Sequence, residues 1–184
     1  MNKTTIRSQL LAQRKNLSAQ QSALLSEKIT DHIIGSALYQ QAKHVALYWP
    51  FDGEVDITGL LKVKDKQHYL PSIQGQQMQF QAFSTKINMN KNRFGISQPS
   101  FIDSLQPAEL DLCLMPLVGF DMHGNRLGMG GGFYDRYFAT SSRSNNRPQL
   151  AGVGYQFQQY DQLPVQSWDV KMNYLYTEQG QFKL

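Results

Sequence analysis

The period of apolar positions changes several times along the chain, and each change marks an element. Over the first forty residues it is helical. Thr4 or Thr5 can cap a segment carrying Ile6 and Leu10, and Ser18 with Gln21 has capping-box spacing ahead of Leu25, Ile29 and Ile33. Gly35 suits the end of that second helix. From His44 to Trp49 the pattern becomes a continuous apolar run, a buried strand stopped by Pro50; Asp52 and Gly53 then turn the chain into a short helix carrying Ile57, Leu60 and Leu61. His68 to Ile73 and Met78 to Phe83 read as strands, the second alternating Met78, Phe80 and Ala82 against Gln79 and Gln81, and Gln74 to Gln77 can join them as a hairpin. Leu110 to Val118 is a near-continuous apolar strand interrupted by Pro116, Ala151 to Tyr155 is another, and a helix is expected between them from Phe133 to Thr140. Strands buried on both faces imply a parallel or mixed sheet covered by helices, an α/β protein. Ser141 to Pro148 reads as a polar loop rather than a domain linker.

Composition narrows the class. Eighteen basic and 14 acidic side chains among 184 residues leave a net charge of +4, and 22 glutamines replace much of the usual charge. No polybasic arm for nucleic acid is present. A pI of about 9.1 and 11% aromatic residues raise the alternative of an RNA-binding module, but the charges are scattered and no aromatic RNA-binding signature occurs. The length suits one core, hence a single domain over residues 1–184. Apolar runs such as Val45 to Trp49 are far shorter than the roughly 20 residues of a membrane span, so no membrane role is expected. Met1 to Arg14 lacks the pattern of a signal peptide, and Cys113, the only cysteine, sits among Leu112, Leu114 and Met115 as a buried inert thiol; a reducing cytoplasmic setting is expected.

The densest chemistry lies in residues 119–136, where five glycines fall between Gly124 and Gly132 after a strand and before a helix. Such a backbone can approach a ligand closely, and with the helix N-terminus and Arg126 it forms either a phosphate cradle or a flexible connection that needs positive φ angles. The dinucleotide fingerprint would need glycine where Phe133 stands, and no Gly-Lys-Ser/Thr completes a P-loop, which disfavours a dehydrogenase or a standard P-loop enzyme. Asp135, in the first helical turn, either holds Mg²⁺ against phosphate oxygens or complements the helix dipole, and Asp169 offers a second oxygen ligand if the chain returns there. His32, His44, His68 and His123 lack zinc spacing. Lys3 and Arg7 share a helix face, either reaching phosphates or simply solvated. Glu54 follows a core strand, at the end where α/β proteins bind ligands, and is either an acceptor for a polar heterocycle or a turn acid. Phe94 either stacks on a flat ring or packs in the core.

Taken together, these motifs make the chain resemble, nearly end to end, the 5-formyltetrahydrofolate cyclo-ligases, also called methenyltetrahydrofolate synthetases. The carriers are Lys3 with Arg7; Glu54; Phe94-Gly-Ile-Ser-Gln-Pro; Met115-Pro-Leu-Val-Gly-Phe-Asp with His123-Gly-Asn-Arg-Leu-Gly; Gly128 through Asp135; and Trp168-Asp-Val-Lys. The resemblance implies a one-domain, three-layer α/β sandwich with a mixed, mostly parallel sheet and helices on both faces. It implies ATP held by Lys3, Arg7 and the loop Arg126, Leu127, Gly128, Met129, Gly130, Gly131, Gly132, Phe133 and Tyr134. It further implies Mg²⁺ held by Asp135 and Asp169, and folate contacted by Trp49, Glu54, Phe94 and residues 129–133. Many relatives carry basic residues within the loop where this chain has Met129 and Gly131, which shifts phosphate neutralisation onto backbone amides and Arg126; Asn173 stands where relatives often have a second Asp and receives no role.

The implied reaction is ATP- and Mg-dependent cyclisation of 5-formyltetrahydrofolate to 5,10-methenyltetrahydrofolate, with ADP and phosphate released through a phosphorylated formyl (iminophosphate) intermediate. Phosphoryl transfer asks mainly for alignment and charge neutralisation, consistent with a sequence that lacks a nucleophile-base-orienter set; Arg126 is then the catalytic electrostatic stabiliser. The chain is expected to act on these small molecules as a monomer. The competing enzyme reading is an ATP-independent sugar-phosphate isomerase-like α/β protein that uses the loop for one phosphate.

Overall fold

The computed structural model describes residues 1–102, 109–140 and 147–184. Helix α1, Lys3–Lys15, is capped by Asn2, whose side chain accepts from the Thr5 N–H, so the cap lies just before the two threonines that the sequence suggested. Helix α2, Ala19–Gly35, opens on the expected Ser18/Gln21 capping box and stops at Gly35. Ser36 then caps a short α3, Ala37–Gln41, which was not anticipated. Strand β1 is His44–Ala46, shorter than the apolar run, although the Leu47 N–H still donates to the Tyr69 carbonyl at 2.9 Å. The turn at Asp52 and Gly53, with φ of 50° and 78°, leads to a 3-10 helix over Thr58–Lys62.

The hairpin of β2, Gln67–Gln74, and β3, Gln77–Ala82, forms as read, with Gln74 opposite Gln77. Its polar face is less solvated than the alternation suggested. A second hairpin, β4 (Met89–Lys91) and β5 (Ser97–Pro99), lies over it, so that Gln81 is buried and donates to the Ser100 carbonyl. Strand β6, Leu112–Pro116, stops at the proline; β7, Gly119–Phe120, and β8, Arg126–Leu127, form a small ribbon around the loop 121–125. Helix α4, Phe133–Thr140, matches its expectation, and β9, Gln149–Val153, follows. Strands β10, Tyr174–Thr177, and β11, Gly180–Lys183, complete the chain. The polar stretch proposed from Ser141 lies outside the described residues as far as residue 146.

The main sheet runs β11-β10-β9-β6-β1-β2-β3, parallel from β10 through β2 and antiparallel at both edges. Period-two alternation divides its side chains between two cores. Val45, Leu47, Leu112, Leu114, Ala151 and Val153 pack with Ile29, Ile33 and Tyr39 of α2 and α3. Ala46, Cys113, Met115, Leu150 and Leu175 pack on the other side with Phe80 and with Phe138 of α4. This is a mixed, mostly parallel α/β sandwich with helices on both faces. Among the described residues no helix is long and apolar enough to cross a membrane.

Candidate active site

A cavity of about 640 Å³ opens beyond the carboxyl ends of β1 and β6, where parallel sheets leave a crevice for ligands. Every site residue singled out from the sequence lines it. It is lined by Tyr48 and Pro116 at the strand ends, by residues of the β2-β3 and β4-β5 hairpins, and by α1, the glycine loop and the start of α4.

The α1 side carries the cations. Arg7 Nε donates to the Gly128 carbonyl at 2.8 Å, and the Cα of Gly130 faces the Arg7 guanidinium so closely that a β-carbon would lie 3.6 Å from Nη2. Gly130 and Gly132 have φ of 98° and 63°, a region costly for other residues, which explains the glycines at those two positions. Lys3 Nζ pairs with Asp169 Oδ2 at 2.5 Å, and Asp169 also accepts from the Gln166 N–H at 2.8 Å. Arg126 pairs with Asp135 Oδ1 at 2.7 Å and donates to the Val170 carbonyl, while the Val170 N–H returns to Asp135 at 3.1 Å. The return of the C-terminal segment to α4 is therefore real, and it brings both carboxylates to one rim, each beside a cation.

Arg126 is aimed by the preceding loop. Asp121 is fully buried; burial raises its pKa, but hydrogen bonds from the Asn125 side chain and from the Leu163, Asn125 and His123 N–H groups outweigh that and hold it below its ordinary value. The Gly124 carbonyl accepts from the Met172 N–H at 2.8 Å, which ties this loop to the segment bearing Asp169.

The lining also has an aromatic part and a further acid. Phe94, 44% exposed, meets Phe133 edge to face at 6.1 Å. Glu54 Oε2 accepts from the Phe51 N–H at 3.1 Å, so it is a turn acid as well as a cavity residue. Burial pushes its carboxyl up from 4.5 to about 7, with Arg14 and the Phe51 N–H pulling it down and Asp52 adding to the rise. Trp49 is half-buried against the α2-side core.

The profile of the 5-formyltetrahydrofolate cyclo-ligase family matches residues 1–178. The chain belongs to that family. It is 37% identical over 175 residues to the 5-formyltetrahydrofolate cyclo-ligase of Haemophilus influenzae, covering 91% of this chain and 92% of the relative. Against the enzyme of that name from Escherichia coli it is 30% identical over 167 residues, covering 86% and 91%. The structure superposes on the NMR structure of Aquifex aeolicus 5,10-methenyltetrahydrofolate synthetase with a TM-score of 0.85 and 33% identity, covering all of this chain and 93% of that one. As a member of the cyclo-ligase family the chain is a ligase.

Several residues in and around the cavity were not assigned a role from sequence. Gln98 is buried, with Oε1 accepting from the Ile73 N–H at 2.9 Å and Nε2 donating to the Ile73 carbonyl at 3.0 Å, and so clamps the Phe94-bearing hairpin onto β2. Its place in the Phe94-Gly-Ile-Ser-Gln-Pro stretch was the available signal. Trp168, 66% exposed on the rim, likewise sat unused beside Asp169. Arg14, buried in α1 outside the cavity lining, gave no sequence signal either.

Proposed function

We propose that this chain catalyses the ATP- and Mg-dependent cyclisation of 5-formyltetrahydrofolate to 5,10-methenyltetrahydrofolate. The observation that carries the reading is one cavity in a cyclo-ligase family member that gathers Lys3, Arg7, Arg126 and the glycine loop together with Glu54, Phe94 and Trp49. The first set suits ATP phosphates, with Arg126, Leu127, Gly128, Met129, Gly130, Gly131, Gly132, Phe133 and Tyr134 around the nucleotide. The second suits a flat heterocycle with a polar edge, and residues 129–133 would meet both ligands. A single domain of 184 residues would carry the whole reaction.

In this reading the formyl oxygen attacks the γ-phosphorus, the bond to the β-bridging oxygen breaks, and ADP leaves. N10 then attacks the activated formyl carbon and loses its proton, and the C–O bond breaks to release phosphate. Arg126 stabilises charge that spreads onto the transferring phosphoryl oxygens, while Lys3 and Arg7 hold the triphosphate in line. Glu54 accepts hydrogen bonds from the pterin edge and Phe94 covers its face.

Asp135 and Asp169 fit a hard cation. Both are carboxylates on the same cavity rim, the contacts of Asp135 fall on Oδ1 and those of Asp169 on Oδ2, and Arg126 and Lys3 balance them. No group of three or more His, Cys, Asp or Glu side chains assembles among the described residues, so nucleotide oxygens and water would supply the remaining ligands, as Mg²⁺ prefers. When bound, the ion neutralises phosphate charge. The test is isotopic: with ¹⁸O in the formyl group, released phosphate should carry the label, and unlabelled phosphate would refute phosphorylation at that oxygen.

A further inference from the structure

Arg14 is the most deeply buried cation of α1, only 3% exposed, and its guanidinium is poorly satisfied. Nε and Nη2 make no hydrogen bond; Nη2 approaches Asp52 Oδ2 at 3.6 Å, and Nη1 reaches the Leu117 carbonyl only at 3.5 Å. An arginine stays charged in proteins and carries five donors, so such burial is costly unless nearby anions compensate. An apolar side chain would fill the same volume without that cost.

The turn that leads to Glu54 rests on this side chain. A β-carbon at Gly53 would lie 3.5 Å from Arg14 Cγ, so the backbone of the turn packs on the arginine stem, and Asp52 and Gly53 both take positive φ there. Leu117, whose carbonyl Arg14 Nη1 reaches, lines the cavity just after β6. The guanidinium thus lies under the junction between the Glu54 turn and the end of the central strand.

We propose that Arg14 is a positioning residue for the substrate: from beneath the Phe51–Glu54 turn, its buried charge supplies the field against which the Glu54 carboxylate is presented to the cavity. The proposal rests on the reading of Glu54 as the acid that meets the pterin. The groups facing Glu54 support it. Arg14 opposes the effect of burial, whereas Asp52 adds to it. Tyr48 from the end of β1 and Tyr134 from α4 face Glu54 as neutral phenols, their pKa values raised chiefly by burial. Lys3, Arg7 and Arg126 stand elsewhere on the cavity wall, and Lys3 and Arg126 are already paired with Asp169 and Asp135.

Two substitutions on opposite sides of this balance test it by sign. Arg14→Met keeps the stem under Gly53 and removes the charge; Asp52→Asn removes the competing anion, and asparagine tolerates the φ of 50° at that position. Binding of 5-formyltetrahydrofolate is measured by calorimetry between pH 5 and 9. The acid limb of wild-type affinity should lie near 7, following Glu54. Arg14→Met should move it up by about one pH unit, lowering affinity at pH 7 about fivefold with recovery at pH 9, while MgATP affinity changes by less than about twofold. Asp52→Asn should move the limb down. Glu54→Gln, as the reference, should weaken folate and abolish the limb. If Glu54→Gln leaves folate binding untouched, the substrate-site reading fails. If it removes the limb while Arg14→Met and Asp52→Asn leave the limb in place, Arg14 has no such role. Should Arg14→Met not fold, the Asp52→Asn shift decides alone: an unmoved or raised limb overturns the proposal.

Discussion

Replacing Glu54 by glutamine should make the protein more stable and a worse folate binder. Shape is nearly conserved, and the glutamine carbonyl can still accept the Phe51 N–H now held at 3.1 Å. What changes is the cost of a carboxylate that burial pushes from 4.5 to about 7. Because the folded pKa is the higher one, the protonated acid stabilises the fold. That contribution is whole below pH 4.5 and is lost as pH rises through about 7. The gap between the two values is worth about 3 kcal/mol, and solvent reaching the half-buried group reduces this to about 1–3 kcal/mol. Urea denaturation at pH 5 and pH 8 isolates the effect: the variant's advantage should be small at pH 5 and about 1–3 kcal/mol larger at pH 8. Folate affinity should fall roughly 5- to 150-fold, the size of a lost charge-assisted hydrogen-bond pattern. A variant less stable than wild type at pH 8, or one with unchanged folate affinity, would refute the reasoning.

Further outcomes follow from the cation side and the loop. Asp135→Asn should cost about 1–3 kcal/mol even without nucleotide or Mg²⁺, because Arg126, with a side chain only 7% exposed, loses its 2.7 Å partner. It should also raise the Mg²⁺ concentration needed for half-maximal turnover; denaturation and a Mg²⁺ titration read the two effects separately. Lys3→Ala with Arg7→Ala should raise the KM for ATP about tenfold and the KM for folate far less, as steady-state kinetics would show. Gly124→Ala should lower Tm through a loss of about 1–3 kcal/mol, since its φ is 84° and a β-carbon would sit 2.9 Å from the Met172 carbonyl oxygen.

Much of this fold was legible because its signals are local. The Ser18/Gln21 capping box, the β2-β3 hairpin and helix α4 each depend on residues a few positions apart. The short pieces were not legible: β7 and β8 are two residues each and exist because Asp121 organises the loop between them. Strands β10 and β11 carry mixed polar and aromatic residues, and only the pairing of β10 with β9 and of β11 with β10 makes them strands. Gln81 reads as a solvent-facing position until the β4-β5 hairpin covers it. In the cavity, residue types and motif spacing identified the lining side chains, but their pairing in space was invisible. Arg126 and Lys3, read as phosphate ligands, are engaged with Asp135 and Asp169, and Arg14, given no role from the sequence, is buried.

The central claim is tested most directly by mixing the purified protein with 5-formyltetrahydrofolate, ATP and Mg²⁺ and recording the methenyl chromophore together with ADP. The two products should appear in equal amounts, and neither should form when ATP is omitted. Chromophore formation without ATP, or ADP release with no methenyl product, would contradict it.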